Sequence, residues 1–143
     1  MTSRDLMQAP CPCGRVDARR RPLVHGQCCG RFLDHFATPA PDAESLMRSR
    51  YSAFVLENAG YLLATWHASA RPAQIEFEPG VRWLGLDVRS HTRHDDNHAQ
   101  VEFVARLRDV GGRASRLQEK SRFVREPDQA GTWRWYYLDA AGD

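Results

Sequence analysis

No apolar run in the chain approaches the roughly 20 residues that a membrane-spanning helix needs. The first fourteen residues, MTSRDLMQAPCPCG, hold no apolar core of the secretory-signal type. A cytoplasmic setting with no membrane span is the expectation. Charge of one sign is also lacking: the formal net charge is +2 over 143 residues, too little for general polyelectrolyte binding, so nucleic acid is disfavoured as a partner. P-loop, Rossmann, nucleophile-elbow and paired-carboxylate patterns are missing, as are internal repeats and low-complexity tracts. What remains is 42% hydrophobic and 27% charged, an ordinary globular composition with length for one domain and a small appendage.

Beyond position 29 there is no cysteine; all four lie at Cys11, Cys13, Cys28 and Cys29. Closely spaced thiols in a reducing compartment point to metal or redox chemistry rather than structural disulfides. Pro12 stiffens the bend between the first two, Gly14 lets the chain leave it, and the vicinal second pair is awkward as a disulfide. Four thiolates satisfy zinc's tetrahedron and leave no open position, so the spacing predicts a structural zinc site that folds residues 10–36. Redox chemistry and four idle thiols are the competing readings. Thiolate charge in excess of the ion's would be offset by arginines, of which Arg15 and Arg31 are nearest in sequence. Residues 1–33 carry six arginines against Asp5 and Asp17, a local net charge of +4, while the remainder is −2. Arg19, Arg20 and Arg21 therefore make the amino-terminal element a candidate basic surface for a protein partner.

After a linker at 37–42, Asp42 reads as a helix N-cap, and Leu46, Met47, Tyr51, Phe54 and Val55 recur at helical spacing from Ala43 to about Asn58. Gly60 is expected to interrupt, with a short second helix over 61–66. Strands are expected at 81–89, 100–108, 115–125 and 133–139, separated by turns at Gly111–Gly112 and Pro127–Gly131. Val101, Phe103, Ala105 and Leu107 share one face of the second strand, and Leu117, Glu119, Ser121 and Phe123 one face of the third. Helices followed by a run of strands make an α+β fold: a small zinc element, then helices packed on a curved antiparallel sheet.

The run CPCG…HGQCCGRF resembles the SEC-C zinc-binding motif. The runs LMRSRYSAF (46–54), YLLATWH (61–67), EKSRFVRE (119–126) and WYY (135–137) resemble the YchJ family of bacterial proteins. The resemblance implies a zinc element over residues 10–36 and, over 42–140, a cone of helices around a bent sheet similar to nuclear transport factor 2. The fourteen residues between the cysteine pairs exceed the usual spacing, a change that costs little closure entropy.

A cone encloses a pocket, and Arg48, Arg50, Tyr51, Glu119, Ser121 and Arg122 are its candidate polar residues. Glu119 is expected to pair with Arg48 or Arg50, holding helix to sheet; a general base with a raised pKa is the alternative. His67 is expected to cap helix carbonyls. His91, His94 and His98 surround Asp95–Asn97, which reads as a hairpin turn rather than a metal face. Trp83, Trp133, Trp135, Tyr136 and Tyr137 are expected as core or pocket lining. The sequence thus favours a non-catalytic zinc protein serving as a protein-interaction or small-ligand-binding module, with a homodimer through the sheet face as a further expectation. The alternative is an enzyme using the cone pocket, with Glu119 as acid/base.

Overall fold

The computed structural model describes residues 2–141. After a first short helix, α1 (Ser3–Gln8), the cysteine-bearing segment runs through a single 3-10 turn (His25–Gln27) into α2 (Gly30–Leu33). Two further helices follow, α3 (Ala43–Val55) and α4 (Ala59–Ala64). The chain ends in four strands: β1 (Arg82–Asp95), β2 (His98–Arg108), β3 (Ala114–Pro127) and β4 (Trp133–Ala140). The strands form one antiparallel meander in the order β1-β2-β3-β4. This is the expected α+β layout.

Helix α3 begins where its cap dictates: the Asp42 carboxylate accepts from the Ser45 N–H at 2.7 Å. Its end differs from the expected one. Glu57, with φ +55°, closes the helix in the left-handed conformation that glycine usually supplies. The Asn58 N–H reaches Ala53 O at 2.8 Å and the Glu57 N–H reaches Phe54 O at 3.3 Å, a complete Schellman termination. Asn58 then caps α4 through its side chain, which accepts from the Tyr61 N–H at 3.0 Å. Gly60 therefore lies inside α4 and interrupts nothing.

The sheet is longer than the sequence suggested. β1 continues through His91 and Arg93 to Asp95, because its polar outer half pairs with β2 up to the turn at Asp96–Asn97. Register shifts at Trp83/Gly85, Val88/Ser90 and Arg93/Asp95 bend it. The two faces read from alternation are the observed ones: Ala105, Phe103, Val101 and Ala99 stand opposite Leu117, Glu119, Ser121 and Phe123. On that concave face sit α3 and α4.

Nine residues of α3 are buried, too many for one stripe of a helix packed on one layer. The reason is that α3 has partners on both sides. Met47, Arg50, Tyr51 and Phe54 face the sheet, while Ser45, Arg48 and Ser52 face the cysteine-bearing segment. Two substitutions test these local devices by chemical denaturation. Asp42→Ala should cost about 1 kcal/mol, typical of a lost N-cap. Glu57→Gly should stabilise by roughly 0.5–1 kcal/mol by relieving the left-handed conformation.

Candidate metal centre and adjoining cavity

Cys11 and Cys13 occupy a tight turn in which the Gly14 N–H donates to Cys11 O at 3.1 Å and Gly14 takes φ +75°. A side chain there would meet no neighbour but would meet an unfavourable backbone. The fourteen residues before the second pair form a narrow hairpin rather than a slack loop. Cys11 N–H donates to Leu23 O, Leu23 N–H to Arg15 O and Asp17 N–H to Arg21 O, at 2.8–3.0 Å. Asp17 closes the tip by accepting from the backbone N–H groups of Arg19 and Arg21. The hairpin returns the chain so that Cys28 and Cys29 lead into α2. There Gly30 lies so close to His25 O that a Cβ would sit 2.7 Å from it.

The result is four sulfurs all within 4.8 Å of one another. All four cysteines are buried, none more than 5% exposed, and Cys13 and Cys28 are 3.6 Å apart. The free thiols share protons awkwardly. Hydrogen bonds from Cys13, Cys28 and Cys29 hold Cys11 far below the ordinary thiol range, and the same contacts push Cys28 and Cys29 up. One divalent ion replaces that uneven sharing with four equivalent bonds, so the donor set could hold a metal ion.

Sequence reading missed three groups around this cluster. His25 is 1% exposed and places Nδ1 3.4 Å from Cys11 Sγ. Ser52 of α3 lies 3.6 Å from the same sulfur. Arg48, expected in the pocket, instead donates from Nη1 to Cys13 O at 3.1 Å and pairs with Glu44 at 2.9 Å. Burial pulls its guanidinium down, and Glu44 with Cys13 more than reverses that. Arg15 bonds Ser45 at 3.0 Å, and Arg31 bonds Cys28 O at 2.9 Å. The only sequence signal for His25 was its place three residues before Cys28.

Beyond α3 lies a cavity of about 290 Å³ between helix and sheet, lined by Arg50, Tyr51, Glu119 and Ser121 among the expected residues. Arg122 lies outside it, paired with Asp139 at 2.5 Å on the exposed side. The expected ion pair to Glu119 is not formed. Arg48 and Arg50, two positions apart, point to opposite sides of α3. Arg50 spends Nη1 on Leu62 O and Thr65 Oγ1, both at 2.7 Å, binding the end of α4. Burial pulls it down to about 10. Glu119 accepts instead from Ser121 Oγ at 2.5 Å and Tyr137 Oη at 3.1 Å.

Other expectations are also corrected. His67 caps no carbonyl; its side chain links Glu126, at 2.9 Å, and Ser69, at 2.7 Å. Trp133 is largely exposed beneath Arg125, whereas Trp135 is core. His91 and His98 lie on the β1–β2 hairpin, beside Glu44 and Asp95 respectively.

Cys13→Ser should reduce bound metal to well under half an ion per chain by elemental analysis. It should also cost about 3 kcal/mol or more, roughly 10 °C in thermal midpoint. Because protons compete for the same sulfurs, the metal affinity of the unaltered chain should fall as pH is lowered.

Comparison with known proteins agrees with this architecture. The middle NTF2-like domain of YchJ matches residues 42–140. A UPF0225 protein from a Polaromonas species is 65% identical over 135 residues, covering 94% of both chains. One from Methylibium petroleiphilum is 57% identical over 135 residues, covering 94% of this chain and 89% of that one. The crystal structure of a SEC-C motif containing protein from Psychrobacter arcticus superposes with a TM-score of 0.79 at 30% identity, over 96% of this chain and 86% of that one. The solution structure of a SEC-C motif containing protein from Rhodopseudomonas palustris gives 0.73 at 27%, over 94% and 98%. Matched by that domain over more than half its length and aligned with close relatives almost end to end, this chain belongs to the YchJ family.

Proposed function

We propose that the protein is a non-catalytic small-ligand-binding module whose cavity is held in shape by a structural zinc ion. In this reading residues 10–36 are the zinc element and 42–140 the cone. The observation that carries it is the double role of α3. Ser52 and Arg48 fasten one side of the helix to Cys11 and Cys13, and Ser45 to the neighbouring Arg15, while Met47, Arg50, Tyr51 and Phe54 wall the cavity on the other.

Zinc fits the donors. Sulfurs at about 2.3 Å from a tetrahedral ion are about 3.8 Å apart, and Cys13 and Cys28 stand at 3.6 Å. The SEC-C motif named for both solved relatives supports the same ion. With four thiolates bound, zinc would supply a crosslink and no reactive position. His25 is placed to donate to Cys11 and Arg48 to hold the Cys13 carbonyl. Reduced thiols suit a cytoplasmic setting, and among the described residues no helix is long and apolar enough to cross a membrane. Arg19 and Arg20 at the hairpin tip are exposed, which supports a basic contact to a protein partner as a second use of the element.

The enzymatic alternative rests on Glu119, whose carboxylate is held at the cavity wall by two hydroxyls. Glu119→Gln discriminates: a base loses turnover and keeps its fold.

A thermal-shift screen of the zinc-loaded full chain against small metabolites tests the ligand reading. At least one compound class should give saturable stabilisation, about 2.7 kcal/mol at a hundredfold excess over Kd. Ala105→Leu, which fills the cavity from the sheet, should abolish it. A screen without a single saturable hit overturns the ligand reading and leaves the protein-contact use of the zinc element.

A further inference from the structure

Arg50 is 6% exposed and packs against two aromatic rings that meet edge to face, its guanidinium carbon 5.1 Å from the Trp66 ring centre and 4.8 Å from that of Tyr137, with the ring centres 5.2 Å apart. Buried guanidinium groups ordinarily meet a carboxylate through a two-pronged contact. Here Nη1 is taken by Leu62 O and Thr65 Oγ1. Among the described residues, Nε and Nη2 have no acceptor and no carboxylate comes within ion-pairing distance.

The carboxylate of the cavity is incomplete in the opposite sense. Ser121 and Tyr137 both donate to Oε2 of Glu119, leaving Oε1 without a donor among the described residues. The cavity thus offers an unmatched cationic fork and an unmatched carboxylate oxygen. Phe54, Trp83 and Phe103 supply flat apolar walls to the same cavity. The volume, about 290 Å³, is about twice that of an apolar cavity that takes benzene, which suits two fused rings.

We propose that this cavity binds a small aromatic carboxylate bearing an N–H or O–H donor beside the carboxylate. The carboxylate completes the Arg50 fork, the neighbouring donor meets Glu119 Oε1, and the rings fill the aromatic walls. The donor is required because a bare anion would face the Glu119 carboxylate with nothing to offset the repulsion. A phosphate ester fits less well, since its dianion needs more donors than the one fork provides. The proposal rests on the reading of the cavity as a ligand site.

The test titrates the zinc-loaded, 15N-labelled full chain with three probes: indole-2-carboxylate, 1-methylindole-2-carboxylate and indole. Indole-2-carboxylate should give saturable shifts of the Trp66 and Trp83 indole N–H signals. It should bind at least about tenfold tighter than indole, and several-fold tighter than the N-methyl compound, which lacks the donor. Arg50→Met should weaken the carboxylate about tenfold and leave indole unchanged. Because Arg50 also ties α3 to α4, the comparison among probes on the unaltered protein decides should that variant not fold. Equal affinity for indole and its carboxylate, or no saturable carboxylate binding, overturns the ligand class. If another compound then stabilises the protein in the thermal screen, the ligand site stands and only its occupant is wrong. If none does, both readings fall.

Discussion

Four sulfurs packed within 4.8 Å in a buried site are the constraint from which the rest of the structure follows. Contacts among the four buried thiols hold Cys11 below the ordinary thiol range and push Cys29 above it. With a cation bound, the turn at Cys11–Cys13 and the start of α2 become a single crosslinked knob. That matters because residues 10–36 have few large apolar side chains of their own. Phe32 is the one buried aromatic they contribute, and it packs with the four cysteines, Leu23 and Leu33 into the core shared with α3.

The knob is joined to the cone through α3. Small residues at Ser45, Ser49 and Ser52 let neighbouring elements approach the helix closely, and all three are fully buried with their hydroxyls in contact. Arg48 reaches the knob and Arg50 reaches α4, so two residues separated by one position act on different layers. A helix fixed on both sides cannot shift towards the sheet without breaking contacts to the cluster. The same helix thereby lines the cysteine cluster on one side and walls the cavity on the other.

Much of this was legible in the sequence, and the pattern of failures has a physical explanation. Local signals carried well: the Asp42 cap, the inward faces of β2 and β3, and the cysteine set all follow from short-range rules. Non-local partners did not. Glu119 was read as the mate of an arginine because opposite charges on facing elements usually meet. The helix terminus instead claimed Arg50, and the hydroxyls of Ser121 and Tyr137 satisfied Glu119. Gly60 drew the helix boundary because glycine is the usual left-handed residue, whereas Glu57 took that conformation. β1 was cut short because polar residues at 90–95 carry no burial signal, although the hairpin pairs them. The long spacing between cysteine pairs carried no conformational signal in the sequence, and the backbone pairing reveals a hairpin whose ends meet at the cluster.

The cavity makes the dependence on the knob a matter of energy. The space of about 290 Å³ between helix and sheet leaves the apolar side chains that line it short of packing partners. Met47, Tyr51 and Phe54 of α3 and the apolar side chains of the sheet would gain contact by closing the gap. Two features oppose closure. The guanidinium of Arg50 and the carboxylate of Glu119 stand inside and would lose what solvation they retain, and the far side of α3 is fastened to the cysteine-bearing segment, Ser52 at the Cys11 sulfur, Arg48 at the Cys13 carbonyl and Ser45 at Arg15. The space is thus bounded by Arg50 and Glu119 within it and by the fastening of α3 to the cysteine-bearing segment behind it.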